Sequence, residues 1–226
     1  MDFHERHVLV VFPHPDDETF GKSGLIALYT QAGTPVTLVC GTLGQMGRNM
    51  GKPFFANRET LPTIRKQELH HACMALGIHD LRLLGLRDKT LEFEDSEMLE
   101  DKIEEVLREI RPSVLLTYYP QHGVHPDHDA LSAAAVKAVT RLPLDERPVI
   151  YASPVTKNAR QELGPPSFEL DVTSVLNVKL AAMRAHRSQS EAMLQHWEEE
   201  IANHPEAQKD LEKAFGKEAY WIYQLV

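Results

Sequence analysis

Cysteine is scarce in this 226-residue chain: only Cys40 and Cys73 occur. Neither belongs to a CxxC pair or a spaced framework, which excludes a disulfide scaffold and points to a reducing, cytoplasmic setting. Long apolar runs are lacking as well. The N-terminal run His7–Phe12 stops at Pro13, too short for a signal-peptide core or a membrane span. Nor is there an excess of positive charge. Lys and Arg total 24 against 33 Asp and Glu, a formal net charge of −9. So acidic a surface repels phosphate backbones and anionic headgroups, and neither nucleic acid nor membrane is an expected partner. A GxGxxG turn is missing after the first strand-like run, which argues against a non-catalytic nucleotide-binding module. What is present is an ordinary globular composition, 42% hydrophobic and 25% charged, incompatible with a disordered or fibrous chain. Histidine stands out, with twelve copies.

Short aliphatic runs bounded by Pro or Gly predict buried strands at His7–Phe12, Val36–Cys40, Leu81–Leu84, Val114–Tyr118 and Val149–Ala152. Further strands are expected at Phe168–Val172 and Tyr220–Tyr223. Helices are predicted between them: Thr19–Ala32, Thr60–Leu76 with Thr60 as N-cap, Ser96–Ile110 and Asp127–Thr140. Ser96–Ile110 is the clearest, with Leu99, Ile103, Val106, Leu107 and Ile110 on one stripe. One long helix is expected over Ser174–Glu200, and a short one after it. This alternation implies a single α/β domain over residues 1–226, a Rossmann-like, mainly parallel sheet with helices on both faces.

Two polar clusters interrupt the pattern. The first strand runs into Pro13-His14-Pro15-Asp16-Asp17-Glu18, and the fourth into Pro120–Asp129, which contains His122, His125, Asp127 and His128. In a sheet of order 3-2-1-4-5, strands 1 and 4 are neighbours where the winding reverses, and the crevice beyond their carboxyl ends is the expected ligand site. Imidazole and carboxylate donors suit zinc, and a catalytic zinc keeps three protein ligands and one position for water. His14 and Asp17 can point the same way from a proline-stiffened turn. His125 and His128 can converge from a helix start, with Asp127 placed to hold an imidazole from behind. Either cluster alone is ordinary turn chemistry; the pair is specific.

The pair HPDDE and HPDH resembles the LmbE-like (PIG-L) family of zinc-dependent N-acetylglucosamine deacetylases, with Arg65, Glu68 and the late His186-Arg187-Ser188-Gln189 in support. The resemblance implies that His14, Asp17 and His128 bind Zn2+, with Fe2+ as the alternative ion, and that Asp16 is the general base. It implies that His125 stabilises the oxyanion as an imidazolium, giving a bell-shaped pH profile with Asp16 on the acid limb. A homo-oligomer, trimer or hexamer, is also expected.

The segment Gly44–Lys66 should border the same crevice. It carries Arg48, Lys52, Arg58, Arg65 and Lys66 against Glu59, a local balance of +4 that leaves −13 for the rest of the chain. Positive charge beside a metal site points to an anionic small-molecule substrate. The GTLGQMGRNMG stretch looks most like the deacetylases of bacillithiol biosynthesis, whose substrate is N-acetylglucosaminyl-malate, an amino-sugar conjugate with two carboxylates. Arg48, Asn49 and Arg65 are the candidates for its malate or sugar, and Asp88 for sugar hydroxyls. Amide hydrolysis of a bacillithiol- or mycothiol-type S-conjugate is the competing reaction. The chain departs from the family at Gln45, where many relatives have Glu, and at Gly123, where some have Tyr; His122 is the expected substitute for that tyrosine. His186 is expected to line the site, to support a site residue from behind, or to serve packing alone. His4, His7, His70, His71, His79, His196 and His204 are expected to be structural.

Overall fold

The fold was obtained as a computed structural model that describes residues 2–225. The strands are β1 (Val8–Phe12), β2 (Val36–Thr42), β3 (Asp80–Leu86), β4 (Val114–Tyr118), β5 (Val149–Ser153), β6 (Phe168–Asp171) and β7 (Lys217–Ile222). The helices are α1 (Ser23–Gln31), α2 (Leu61–Leu76), α3 (Ser96–Ile110), α4 (Pro126–Thr140), α5 (Ala159–Glu162), α6 (Leu176–Ala185), α7 (Arg187–Asn203) and α8 (Ala207–Phe215). All strands join one sheet in the order β3-β2-β1-β4-β5-β7-β6. The first five are parallel, and β7 runs antiparallel between β5 and β6.

Both faces of the sheet are covered, which is why β1 is apolar throughout rather than alternating. Val8, Val10 and Phe12 pack with Leu25, Ile26 and Leu69 under α1, α2 and α6. Leu9 and Val11 pack with Ile103, Leu107, Leu131 and Val139 under α3 and α4.

Four expectations differ. The first helix begins at Ser23 rather than Thr19. The amides of Thr19 and Phe20 both donate to the Asp16 carbonyl, at 2.9 and 3.0 Å, so this stretch is used in tight turns. The N-terminus of α1 is capped from a distance: the Glu218 carboxylate accepts from the Gly24 and Leu25 amides at 2.8 and 2.9 Å. Thr60 precedes α2 as expected, but its side chain makes no capping bond to the helix. Asn57 Oδ1 instead accepts from the Glu59 and Thr60 amides. The expected helix Ser174–Glu200 is divided at His186, whose ψ of 53° ends α6 and starts α7. The final strand also begins earlier than its aromatic residues indicate, at Lys217.

Candidate active site

Adjacency of β1 and β4 brings the two polar clusters together at the carboxyl edge of the sheet. One potential ligand atom from each of His14, Asp17 and His128 lies within 4.8 Å of the others. His14 Nδ1 is 3.3 Å from His128 Nε2 and 3.3 Å from Asp17 Oδ2, and His128 Nε2 is 3.4 Å from Asp17 Oδ1. Each group is held from behind. His14 Nε2 faces Asp127 Oδ2 at 3.1 Å and Asp88 Oδ1 at 3.2 Å. His128 Nδ1 donates to the Gly123 carbonyl at 2.8 Å. Asp17 accepts from the His14 amide at 2.8 Å and from the Tyr118 hydroxyl at 2.7 Å. These bonds hold ring protons on His14 Nε2 and His128 Nδ1, so that a cation displacing any proton from the facing nitrogens would meet their lone pairs. Two imidazole nitrogens and a carboxylate oxygen, open to a cleft on one side, fit a catalytic divalent cation.

The charges follow from this crowding. Burial works against charge on His14, but hydrogen bonds to Asp127, Asp17 and Asp88 outweigh it and raise its pKa well above the ordinary imidazole value. Burial would raise Asp17, yet nearby His128 and His14 hold it below the usual carboxylate range. His128 is lowered by burial, with Asp17 opposing. Asp127 and Asp88 are both lowered, the hydrogen bond from His14 overcoming burial in each.

Asp16 lies beside this group. Its φ is 101°, a conformation that L residues rarely adopt. Burial pushes its carboxyl up to about 6, with Arg65 pulling the other way and Asp17 adding to the rise. Arg65, only 4% exposed, donates to Asp16 Oδ2 at 3.0 Å, to the Gly44 carbonyl at 3.0 Å and to the Pro15 carbonyl. The guanidinium expected to meet substrate is thus directed onto the carboxylate of Asp16. His125 is the N-cap of α4, and its Nδ1 accepts from the Asp127 amide at 3.1 Å. A ring accepting there carries its proton on Nε2. That Nε2–H is the donor an oxyanion role at this position would use.

A cleft of about 390 Å³ joins these residues to the basic segment: its lining includes His14, Asp16, Asp17, Arg48, Asp88, His125 and His128. Arg65, Lys89, Met46 and Gln189 also line it. Arg48 is exposed. Asn49 lies outside this lining, and its side-chain amide donates to the Gln189 carbonyl at 3.3 Å. Asp88 is 4% exposed and accepts from the Met46 amide at 2.7 Å, so it joins the His14 support to the basic segment. Gln45 fixes the same loop, its Oε1 accepting from the Asp88 amide at 3.1 Å. His122 faces Thr156 Oγ1 at 3.0 Å and is not among the lining residues.

Several participants were not singled out from the sequence. Tyr118 carries no sequence signal beyond its strand, although its ring stacks on His128 with centroids 4.2 Å apart. Lys89 lay outside the basic segment. Nothing but its place in the HPDDE run distinguishes Glu18, whose bond to His186 spans 168 residues. The available signal was positional: Tyr118 ends β4 and Glu18 closes the HPDDE run.

Residues 9–139 match the family model described as PIG-L, GlcNAc-PI de-N-acetylase. The chain belongs to the PIG-L family. It is 55% identical to the probable N-acetyl-alpha-D-glucosaminyl L-malate deacetylase 2 of Bacillus cereus, over 97% of this chain and 99% of that one. Identity to the Bacillus subtilis protein of the same name is 51%, over 97% and 98%. Among solved structures, it resembles the N,N'-diacetylchitobiose deacetylase of Pyrococcus horikoshii with a TM-score of 0.72 and 24% identity, covering 97% of this chain and 84% of that one. It also resembles GalB, the 4-carboxy-2-hydroxymuconate hydratase of Pseudomonas putida, with a TM-score of 0.73 and 19% identity over 97% and 98%. At these identities the structural likenesses establish the α/β fold alone. PIG-L deacetylases depend on a metal, and the His/Asp cluster of this chain supplies a site for one.

Proposed function

We propose that this PIG-L protein is a zinc-dependent N-deacetylase acting on an N-acetylglucosaminyl conjugate, N-acetylglucosaminyl-L-malate in bacillithiol biosynthesis. The observation that carries the reading is the convergence of His14, Asp17 and His128 within 4.8 Å, with the oriented carboxylate of Asp16 alongside. The names of the Bacillus relatives support the substrate.

His14, Asp17 and His128 would hold the ion. Bound zinc supplies Lewis acidity, lowering the pKa of water from ~15.7 to ~7 and polarising a carbonyl. Asp16 takes the proton as water attacks the acetamide carbon, and delivers it to the nitrogen as the C–N bond breaks. Acetate and a free amine result. His125 Nε2–H donates to the carbonyl oxygen as it gains charge. Protonation of Asp16 removes the base, so activity falls on the acid side, and a cation beside Asp16 moves that limb below the metal-free pKa. Arg48 remains the candidate for a malate carboxylate, joined by Lys89. Asn49 and Asp88 remain candidates for the sugar.

The test is deacetylation of N-acetylglucosaminyl-malate beside free N-acetylglucosamine and a bacillithiol S-conjugate. Acetate release from the malate conjugate is expected, and Asp16→Asn should retain zinc while losing ~10²–10⁴ in rate. Near-normal turnover by a zinc-loaded variant would remove Asp16 from its role. Preference for the S-conjugate would replace the substrate. The same reading places the protein in the cytoplasm, supported by two buried, unpaired cysteines, and among the described residues no helix is long and apolar enough to cross a membrane. A homo-oligomer, trimer or hexamer, belongs to it too; a monomer mass by light scattering would remove that part.

A further inference from the structure

The left-handed backbone of Asp16 requires an explanation. Such a conformation persists at a non-glycine residue only where the surroundings over-determine it. Arg65 fixes the carboxylate, and the Thr19 and Phe20 amides fix the carbonyl. The remaining polar group is the Asp16 amide, which donates to Glu18 Oε2 at 3.0 Å. Glu18 is 1% exposed, and its other oxygen, Oε1, lies 2.5 Å from Nε2 of His186. His186 is fully buried at the junction of α6 and α7. Its Nδ1 has no partner among the described residues, so its contribution is made through Nε2.

Packing alone does not call for this arrangement. A buried histidine–carboxylate pair is a poor source of stability compared with apolar residues of similar volume. The helix expected to run through residue 186 is interrupted there, and Ser188 is tied down on Glu68, its amide and hydroxyl both donating at 2.6 Å. These bonds fix the start of α7 and with it the His186 ring. We infer that Glu18 and His186 are a positioning pair: His186 orients the Glu18 carboxylate, which holds the Asp16 amide and thereby aims the Asp16 side chain. The inference rests on Asp16 acting as the base. Neither residue is among those lining the cleft, so neither touches substrate.

The test compares Glu18→Gln, His186→Met, His186→Gln and the double variant Glu18→Gln/His186→Met, measuring kcat, KM, zinc content and thermal unfolding. His186→Met should lower kcat by ~10–100-fold with KM and zinc content unchanged. His186→Gln, whose amide N–H can still meet Glu18, should recover most of that loss. Glutamine at position 18 has one acceptor oxygen where two N–H groups point, so it should resemble His186→Met. Because the two act in series, the double variant should lose little more than the worse single one. The pair is ruled out by unchanged kcat in folded His186→Met, by equal damage from Met and Gln at 186, by additive losses, or by losses confined to KM or zinc. Should His186→Met not fold, the Gln variant at 186 and Glu18→Gln decide by the same criteria. A wild-type protein inert on every acetylated substrate would instead defeat the functional reading, and this inference with it.

Discussion

The guanidinium of Arg65 is engaged inside the protein. It meets Asp16 and the carbonyls of Gly44 and Pro15, and the backbone of Gly44 is shaped around it. At φ 60° residue 44 already favours glycine, and a Cβ there would fall within the guanidinium itself. If Arg65 orients the base, Arg65→Lys should lower kcat by ~10–100-fold and leave KM nearly unchanged, since an ammonium cannot reproduce the fork. Gly44→Ala should reproduce that loss by displacing the same group. A rise in KM with kcat preserved would return Arg65 to substrate binding. Gly123 poses a parallel case. Its carbonyl fixes the His128 tautomer, and a Cβ at 123 would collide with His128 Cβ. Gly123→Ala should therefore weaken zinc binding by ~10-fold or more, measured by chelator competition. Unaltered affinity would show that the loop yields without moving His128. At this scale the sequence made donor types legible: HPDDE and HPDH present chemistry that two adjoining strand ends can combine. It did not reveal which partner each donor has, because Arg65 looks the same whether it faces substrate or a neighbouring carboxylate.

Element boundaries were legible where local signals set them and obscure where distant residues did. The stripe of α3 is written in its own sequence, and Asp95, accepting from the Glu97 amide at 2.9 Å, caps it locally. The start of α1 is not, because its cap is Glu218, 194 residues away from Gly24. The break at His186 has the same origin, since nothing local opposes a continuous helix. The α1 cap also buries charge. Glu218 Oε1 pairs with Lys179 Nζ at 2.6 Å, and Lys22, 5% exposed, lies immediately before the helix. Burial lowers the Lys22 pKa to about 8, Glu218 opposing and Lys179 reinforcing the drop. With a folded pKa below the unfolded value, the unfolded chain binds the extra proton between about pH 8 and 10.5, so this group's contribution to stability rises with pH there. The change should approach ~3 kcal/mol across that window. Urea unfolding of wild type and Lys22→Met at pH 7 and 10.5 isolates it. The difference should move in favour of wild type as pH rises, and a difference independent of pH would mean that Lys22 titrates as an ordinary lysine.

For the whole molecule, strand order and the position of the crevice could be reasoned from the alternation of strands and helices. Specificity could not, since a fold shared with both a chitobiose deacetylase and a muconate hydratase does not select a substrate. Charge distribution bears on that question. The net charge of −9 repels a dicarboxylate at long range, yet the cleft is bordered by Arg48 and Lys89. Asp16, Asp17 and Asp88 line the same cleft, so attraction for the anion has to come from the cationic side chains that touch it. The long-range repulsion and this attraction are both screened by salt, with a Debye length of ~10 Å at 0.1 M, but contacts at the cleft are screened less than the distant surface. For N-acetylglucosaminyl-malate, Arg48→Ala and Lys89→Ala should each raise KM several-fold and leave kcat nearly intact, the pattern of lost uniform binding. For neutral N-acetylglucosamine the same changes should leave KM nearly unaltered. Equal effects on the charged and neutral substrates would mean that these side chains shape the cleft without reading charge, and the anionic part of the substrate would then have to be recognised elsewhere.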